Sequence, residues 1–269
     1  MSAIPLYTVD AFADGPFQGN PAAVALFDQA PEATLMARIA SEMNLAETAF
    51  VWPEKGAYGL RWFTPTVEVP LCGHATLAAA HVLLRERGGD SPVEFQTKSG
   101  LLRCVDDGDR LVLDLPEQPC QPWTVPQELV TALGIKLTVD SCFSDEGKNA
   151  LLRLPDGASI ESFSPDFSKL SAINIENMLG VMVTVRGNGD PYDFHSRYFA
   201  PWAGINEDPV TGSAHCTLAP YWAGILGRES FCARQNSARG GSLWVSRKLP
   251  GRVEIAGSAI TVVRGEIEI

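Results

Sequence analysis

The chain has 269 residues, 45% of them hydrophobic, enough for one large domain or two of ordinary size with full cores. Its formal net charge of −11 sets it against nucleic acid and against anionic membrane surfaces. With no basic cluster, no long apolar span and no signal-peptide-like start, a soluble cytoplasmic protein is expected.

In chain order, alternating or apolar runs predict strands at Leu6–Ala11, Ala22–Leu26, Thr48–Val51, Tyr58–Phe63, Val93–Thr97, Gly100–Val105 and Arg110–Leu115. A helix is predicted over Pro31–Met43, with apolar Leu35, Met36, Ile39 and Met43 on one stripe. Two more are predicted at Leu71–Arg85 and Gly212–Leu226. Both are Ala-rich and apolar nearly all round, so each is expected to run through the middle of a curled sheet. Pro220 is expected to kink the second of them. Pro116, Pro119, Pro122 and Pro126 make 116–128 proline-rich and place a linker at 118–128, between domains over 1–117 and 129–259. Strands resume at Leu151–Leu154, Val181–Arg186, Phe194–Phe199, Ser242–Ser246, Val253–Ile255 and Ala259–Val263.

The two all-apolar helices open on the same phrase. Glu68-Val69-Pro70-Leu71-Cys72-Gly73-His74-Ala75 is answered by Glu207-Asp208-Pro209-Val210-Thr211-Gly212-Ser213-Ala214. Upstream, Arg61-Trp62-Phe63-Thr64-Pro65 is answered by Arg197-Tyr198-Phe199-Ala200-Pro201. A repeat near half the chain length predicts two pseudo-symmetric domains. Each copy ends on a helix start, where free backbone N–H groups favour an anion. One ligand carboxylate held by two facing helix N-termini is the simplest reading.

The repeat also selects residues. Gly73 and Gly212 let a ligand approach the backbone closely. His74 and Ser213 occupy matching first-turn positions: His74 reads as a proton relay or as a group that only holds its neighbour's hydrogen bonds, and Ser213 as part of the anion half-site or as an ordinary cap. Asp208 breaks the symmetry, because its counterpart is Val69: it reads as a partner for a substrate ammonium group or as a capping carboxylate. Glu47, flanked by Leu45, Ala46, Ala49 and Phe50, is poorly solvated if it points inward; burial disfavours a carboxylate's charged form, which suits a group that must take and return a proton. An exposed strand-start glutamate is the alternative. Asn20 and Arg239 sit in Gly-rich turns and read as substrate contacts or as turn chemistry. Cys72 reads equally as a reactive thiol or a small core residue.

None of the six cysteines forms a C-x-x-C pair, so reduced thiols are expected rather than disulfides. No two of the four histidines have the close helical spacing of a metal pair, so no metal site is expected. Phosphate-loop, dinucleotide and serine-elbow motifs are missing from the sequence, and no cofactor is expected.

Six ordered motifs together resemble the phenazine-biosynthesis F-like isomerase family: Asp10-Ala11-Phe12, Phe17 to Val24, Asn44 to Phe50, Phe63-Thr64-Pro65, Cys72 to Thr76 and Glu207 to Ser213. The match continues to Gln235–Gly241 and the closing strand. The resemblance implies an α+β fold of the diaminopimelate epimerase type: two similar domains, each a curled mixed β-sheet around a central helix. It implies that the last strand, about 260–269, returns to the first domain, and that the chain forms a homodimer. It implies a cofactor-independent isomerase acting on a small carboxylic acid, amino- or hydroxyl-bearing or like a cyclic dihydroanthranilate, with Glu47 as general acid and base and Asp208 in catalysis. Racemases of this fold pair two thiols, and here Cys72 is matched by Thr211. A cysteine-assisted racemase and a non-catalytic metabolite- or protein-binding protein are the alternatives.

Overall fold

The computed structural model describes residues 3–269. Its chain divides into two compact units, 1–115 with 254–269, and 116–253.

The first unit begins with β1 (Ala3–Ala11), β2 (Asn20–Leu26), α1 (Ala33–Met43), β3 (Glu47–Glu54) and β4 (Ala57–Phe63). Next come β5 (Glu68–Val69), α2 (Gly73–His81), β6 (Val93–Thr97), β7 (Gly100–Asp106) and β8 (Leu111–Pro116). Helix α1 connects the parallel pair β2 and β3, and α2 connects the parallel pair β4 and β6. The remaining neighbours pair antiparallel. All nine residues of α2 are buried, as a helix apolar on every face must be. Its apolar run continues as a π-helical turn, Val82–Glu86.

The second unit holds β9 (Gln121–Pro122), α3 (Gln127–Leu133), β10 (Asp140–Ser144), β11 (Asn149–Arg153), α4 (Phe167–Ala172), β12 (Gly180–Arg186) and β13 (Phe194–Ala200). These are followed by β14 (Ile205–Asp208), α5 (Gly212–Leu226), β15 (Ser230–Gln235) and β16 (Gly241–Ser246); β17 (Arg252–Gly257) then carries the chain back to the first unit. There β18 (Ala259–Glu268) pairs antiparallel with β1 along its whole length.

The wiring of the second unit copies that of the first. Helix α4 lies between the parallel strands β11 and β12, and α5 connects the parallel strands β13 and β15. The register also repeats: Val69 sits opposite Trp62, and Asp208 sits opposite Tyr198. Asp208 therefore occupies the slot that Val69 fills, as the aligned phrases require.

The repeated arginines stay within their own units. Arg61 makes a two-pronged pair with Glu68, both bonds 2.7 Å, and lies over the Phe63 ring. Arg197 grips Glu207 at 2.7 and 3.0 Å, lies over Phe163 and Phe199, and donates to the carbonyls of Ile160 and Phe163. Each arginine ties the strand before the central helix to the short strand leading into it. The longer spacer of the second copy forms a 3-10 turn, Pro201–Ala203, anchored by Trp202 Nε1 donating to the Ile173 carbonyl at 2.8 Å.

The proline-rich stretch is built into the second unit: the Trp123 N–H donates to the Ser141 carbonyl at 3.1 Å, and β9 pairs with β10. The expectation of reduced thiols is corrected here. Cys120 and Cys142 form a disulfide with Cα atoms 5.5 Å apart, while Cys72, Cys104, Cys216 and Cys232 take no part in one. The β9–β10 pairing brings the two together, a long-range contact that the spacing of cysteines in the sequence does not reveal.

Candidate functional site

In the first unit, three chain segments deliver polar groups to the start of α2. The first comes off the β1–β2 loop. Phe17 has a left-handed backbone, and its N–H donates to the buried Asp10 carboxylate at 2.7 Å. Gly19 has φ +67°, and a Cβ there would lie 2.2 Å from the Ala11 carbonyl oxygen, so only glycine fits. This loop places Asn20, fully buried, as the first residue of β2. The second segment is the end of α1, where Asn44 closes the helix in the left-handed conformation. Three residues later Glu47 opens β3, parallel to β2 and therefore at the same end of the sheet as Asn20.

The third segment is the repeated phrase. Cys72 caps α2 in extended conformation, and its carbonyl accepts the N–H of Thr76 at 3.1 Å and the Thr76 hydroxyl at 2.5 Å. His74 then points back to the sheet. Its Nε2 lies 3.2 Å from Glu47 Oε2, and its Nδ1 lies 3.2 Å from Asn20 Nδ2 and 3.5 Å from Cys72 Sγ. Glu47, Cys72 and His74 are 9%, 7% and 5% exposed. A cluster this buried interacts strongly, because little water screens it.

Burial pushes the Cys72 thiol up, and the Glu47 carboxylate adds to that. Burial opposes a charge on His74, but Cys72 and Glu47 outweigh it and hold the imidazole well above its ordinary range. A charged imidazole donates from Nε2 to Glu47. The Asn20 amide serves Nδ1 in both protonation states, with its oxygen toward Nδ1–H or its NH₂ toward a bare nitrogen.

The second unit builds the matching half. Asp208, 9% exposed, ends β14 and accepts the Thr211 hydroxyl at 2.5 Å. Thr211 caps α5 where Cys72 caps α2. Gly212 is buried and Ser213 half-buried in the first turn. Arg239 is half-buried in the loop after β15; Ser237 of that loop donates to the Pro209 carbonyl at 2.7 Å, tying it to the repeated phrase. His215 donates from Nδ1 to the Thr211 carbonyl at 2.9 Å, and burial pushes its pKa down to about 4.

Sequence reading missed Gln235, the organiser of this half. Its side chain is fully buried and accepts the Thr211 N–H at 2.9 Å. It donates to the Asp208 carbonyl at 2.8 Å and to the Thr211 hydroxyl at 3.1 Å. The available signal was alternation along β15, where Phe231, Ala233 and Gln235 share the buried face. Thus Asn20, Glu47, Cys72, Gly73 and His74 come together in the first unit. Asp208, Thr211, Gly212 and Ser213, with the Arg239 loop tied beside them, come together in the second.

Comparison with known proteins follows the same lines. Residues 9–265 match the family model described as phenazine biosynthesis-like protein. The chain is 44% identical to an uncharacterized isomerase of Halalkalibacterium halodurans, with 99% of each chain covered. A phenazine biosynthesis protein of the PhzF family from Enterococcus faecalis has a crystal structure that superimposes with a TM-score of 0.92 at 39% identity over 100% of both chains. A probable proline racemase from Agrobacterium radiobacter shares the fold at a TM-score of 0.62, with 14% identity over 99% of this chain and 93% of that one.

Proposed function

The chain belongs to the phenazine biosynthesis-like family and is an isomerase with the α+β fold of that family and of diaminopimelate epimerase-like racemases; on that premise we propose that it moves a proton on a small carboxylic acid without a cofactor. The observation that carries the proposal is the buried Glu47–His74 pair, 3.2 Å apart, at the open start of a helix.

In this reading the Glu47 carboxylate takes a C–H proton from a carbon conjugated to the substrate carboxylate. The electron pair left behind spreads onto that carboxylate as an enediolate. Glu47 then returns the proton to a different carbon, so the enzyme ends as it began. The N–H groups of Gly73 and His74 at the start of α2 stabilise the added negative charge. His74 holds Glu47 in place and shares its proton. The second unit is proposed to contribute Asp208 to an amino or hydroxyl group, Gly212 and Ser213 to the carboxylate, and Arg239 as a counter-ion. Glu47 carries the proton between the two carbons, and a two-thiol racemase is disfavoured because Thr211 stands where a second thiol belongs. A cytoplasmic homodimer is part of the same proposal. No helix among the described residues is long and apolar enough to cross a membrane.

The test is solvent deuterium entry, followed by NMR, into a panel of small amino and hydroxy acids that includes dihydro-hydroxyanthranilate. Exchange in the wild type that drops about 10²–10⁴-fold in Glu47→Gln supports the proposal. Exchange that persists in the variant moves the base to Cys72 or Asp208. No exchange with any compound favours the non-catalytic binding protein.

A further inference from the structure

The first unit carries a cavity at the end of its sheet away from Glu47. Strands β2 and β3 run parallel, from Asn20 and Glu47 at one end to Leu26 and Glu54 at the other. Around that second end Phe27, Trp52, Tyr58 and Leu83 line a cavity of about 250 Å³, with Asp28 and Arg87 also in its lining. Ligand pockets usually measure about 300–1,000 Å³, so this one suits a small molecule with one aromatic ring.

The aromatic walls are held in place by the rest of the fold. The Trp52 indole N–H donates to Glu54 at 3.1 Å. Gly59 sits opposite Trp52 on β4, and a Cβ there would overlap the indole, so the glycine is what lets the ring lie across the strand. Phe27 packs on Phe50 and Tyr58 on Phe95, with ring centroids 6.2 and 6.5 Å apart. Leu83 comes from the π-helical turn, a departure from the α-helix that is frequent at functional sites. Arg87 closes that turn, its N–H donating to the Val82 carbonyl at 2.9 Å. Rings already fixed cost a ligand little ordering on binding.

The rim charges select the ligand. Asp28 and Arg87 are exposed, and neither side chain has an ion-pair or hydrogen-bond partner among the described residues. They come from separate elements, the end of β2 and the end of the π-helical turn, and they do not pair with each other. Both charges therefore stay available to a ligand. An organic anion would satisfy Arg87 and be repelled by Asp28, and an amine would do the reverse. A zwitterion with an aromatic ring satisfies both.

We propose that this cavity binds a free aromatic α-amino acid. The ring lies between Phe27, Trp52 and Tyr58, the carboxylate meets Arg87 and the ammonium group meets Asp28. Binding is reversible and makes or breaks no covalent bond. The cavity shares no residue with the proton-transfer site, so its binding does not rest on the isomerase reading.

The experiment titrates the full-length protein with L-phenylalanine by calorimetry. The expected result is one molecule per chain. Phenethylamine, which lacks the carboxylate, and 3-phenylpropionate, which lacks the ammonium group, are each expected to bind at least about tenfold more weakly. In Arg87→Gln, L-phenylalanine is expected to bind no better than phenethylamine; in Asp28→Asn, no better than 3-phenylpropionate. Both residues are exposed, so both variants are expected to fold. Glu47→Gln is expected to leave the affinity unchanged. No binding of L-phenylalanine, equal binding of the three compounds, or binding untouched by both rim variants overturns the proposal. Affinity lost in Glu47→Gln instead places the amino acid at the candidate active site and overturns it too. Failure of the isomerase reading looks different, because deuterium exchange then survives in Glu47→Gln while this titration is unmoved.

Discussion

Replacing Gln235 with Leu keeps the side-chain size and removes three hydrogen bonds. Two of the stranded partners are backbone groups, the Thr211 N–H and the Asp208 carbonyl, and Gln235 is fully buried, so water does not replace it. Leaving a buried polar group unsatisfied costs about 1–3 kcal/mol, so two cost about 2–6. The leucine returns about 1–2 kcal/mol through apolar burial. At mid-range, about 4 lost against about 1.5 returned, the net loss is about 2.5 kcal/mol, concentrated at the start of α5. Global unfolding of a two-unit chain need not follow a single transition, so the assay is native-state hydrogen exchange on a peptide spanning 210–213. The Thr211 amide is expected to exchange about 60-fold faster in the variant, at about 1.4 kcal/mol per factor of ten. A change under about threefold refutes the reasoning, because Gln235 is then not what holds the Asp208–Thr211 turn.

Four other outcomes are expected. His215 has its pKa pushed down by burial to about 4 from the ordinary 6.5, so the unfolded chain takes up a proton first as the solution is acidified. That lowers stability from pH 6.5 down to about 4, by up to about 3 kcal/mol, and urea unfolding of His215→Asn is expected to show a flatter slope across that window than wild type. Arg197→Lys is expected to cost about 1–3 kcal/mol and more than Arg61→Lys, because only Arg197 also serves two carbonyls; equal losses in urea unfolding refute this. Opening the Cys120–Cys142 disulfide, whose partners lie 22 residues apart, is expected to cost the second unit about 3 kcal/mol by lost loop closure, measured on the Cys120→Ser/Cys142→Ser double variant. Gly19→Ala is expected to lower stability by at least about 1–2 kcal/mol, because its backbone is left-handed and its Cβ meets a carbonyl; a denaturation midpoint equal to wild type refutes it.

Much of the fold is legible in the chain because its signals are local. The alternation in Val93–Thr97 is a strand with those ends, and the Ala-rich apolar run Gly212–Leu226 is a helix with those ends. The short pieces were not legible. Gln127–Leu133 and Phe167–Ala172 span about two turns each, too few for a periodic pattern, and form because they pack on the second unit's apolar core. The strand Ser230–Gln235 carries Arg234 and Gln235 side by side and reads as polar until its buried face is known.

The sequence by itself determined the repeat, the two apolar helices that follow it and the candidate residues of each half-site. All of these follow from residue order and from the period of apolar side chains. Helix α2 is buried throughout, whereas α5 exposes Gly224 and Ile225 near its end. The tertiary structure decided which candidates touch. Parallel strands β2 and β3 put Asn20 and Glu47 at one sheet end, and the crossover through α2 brings Cys72 and His74 to them. The β9–β10 pairing likewise joins Cys120 to Cys142, and α5 with its flanking strands brings Gln235 under Asp208. These contacts join residues far apart in the chain, and they exist only once long connections have closed. Local spacing does not encode that closure, whereas packing against a shared core does.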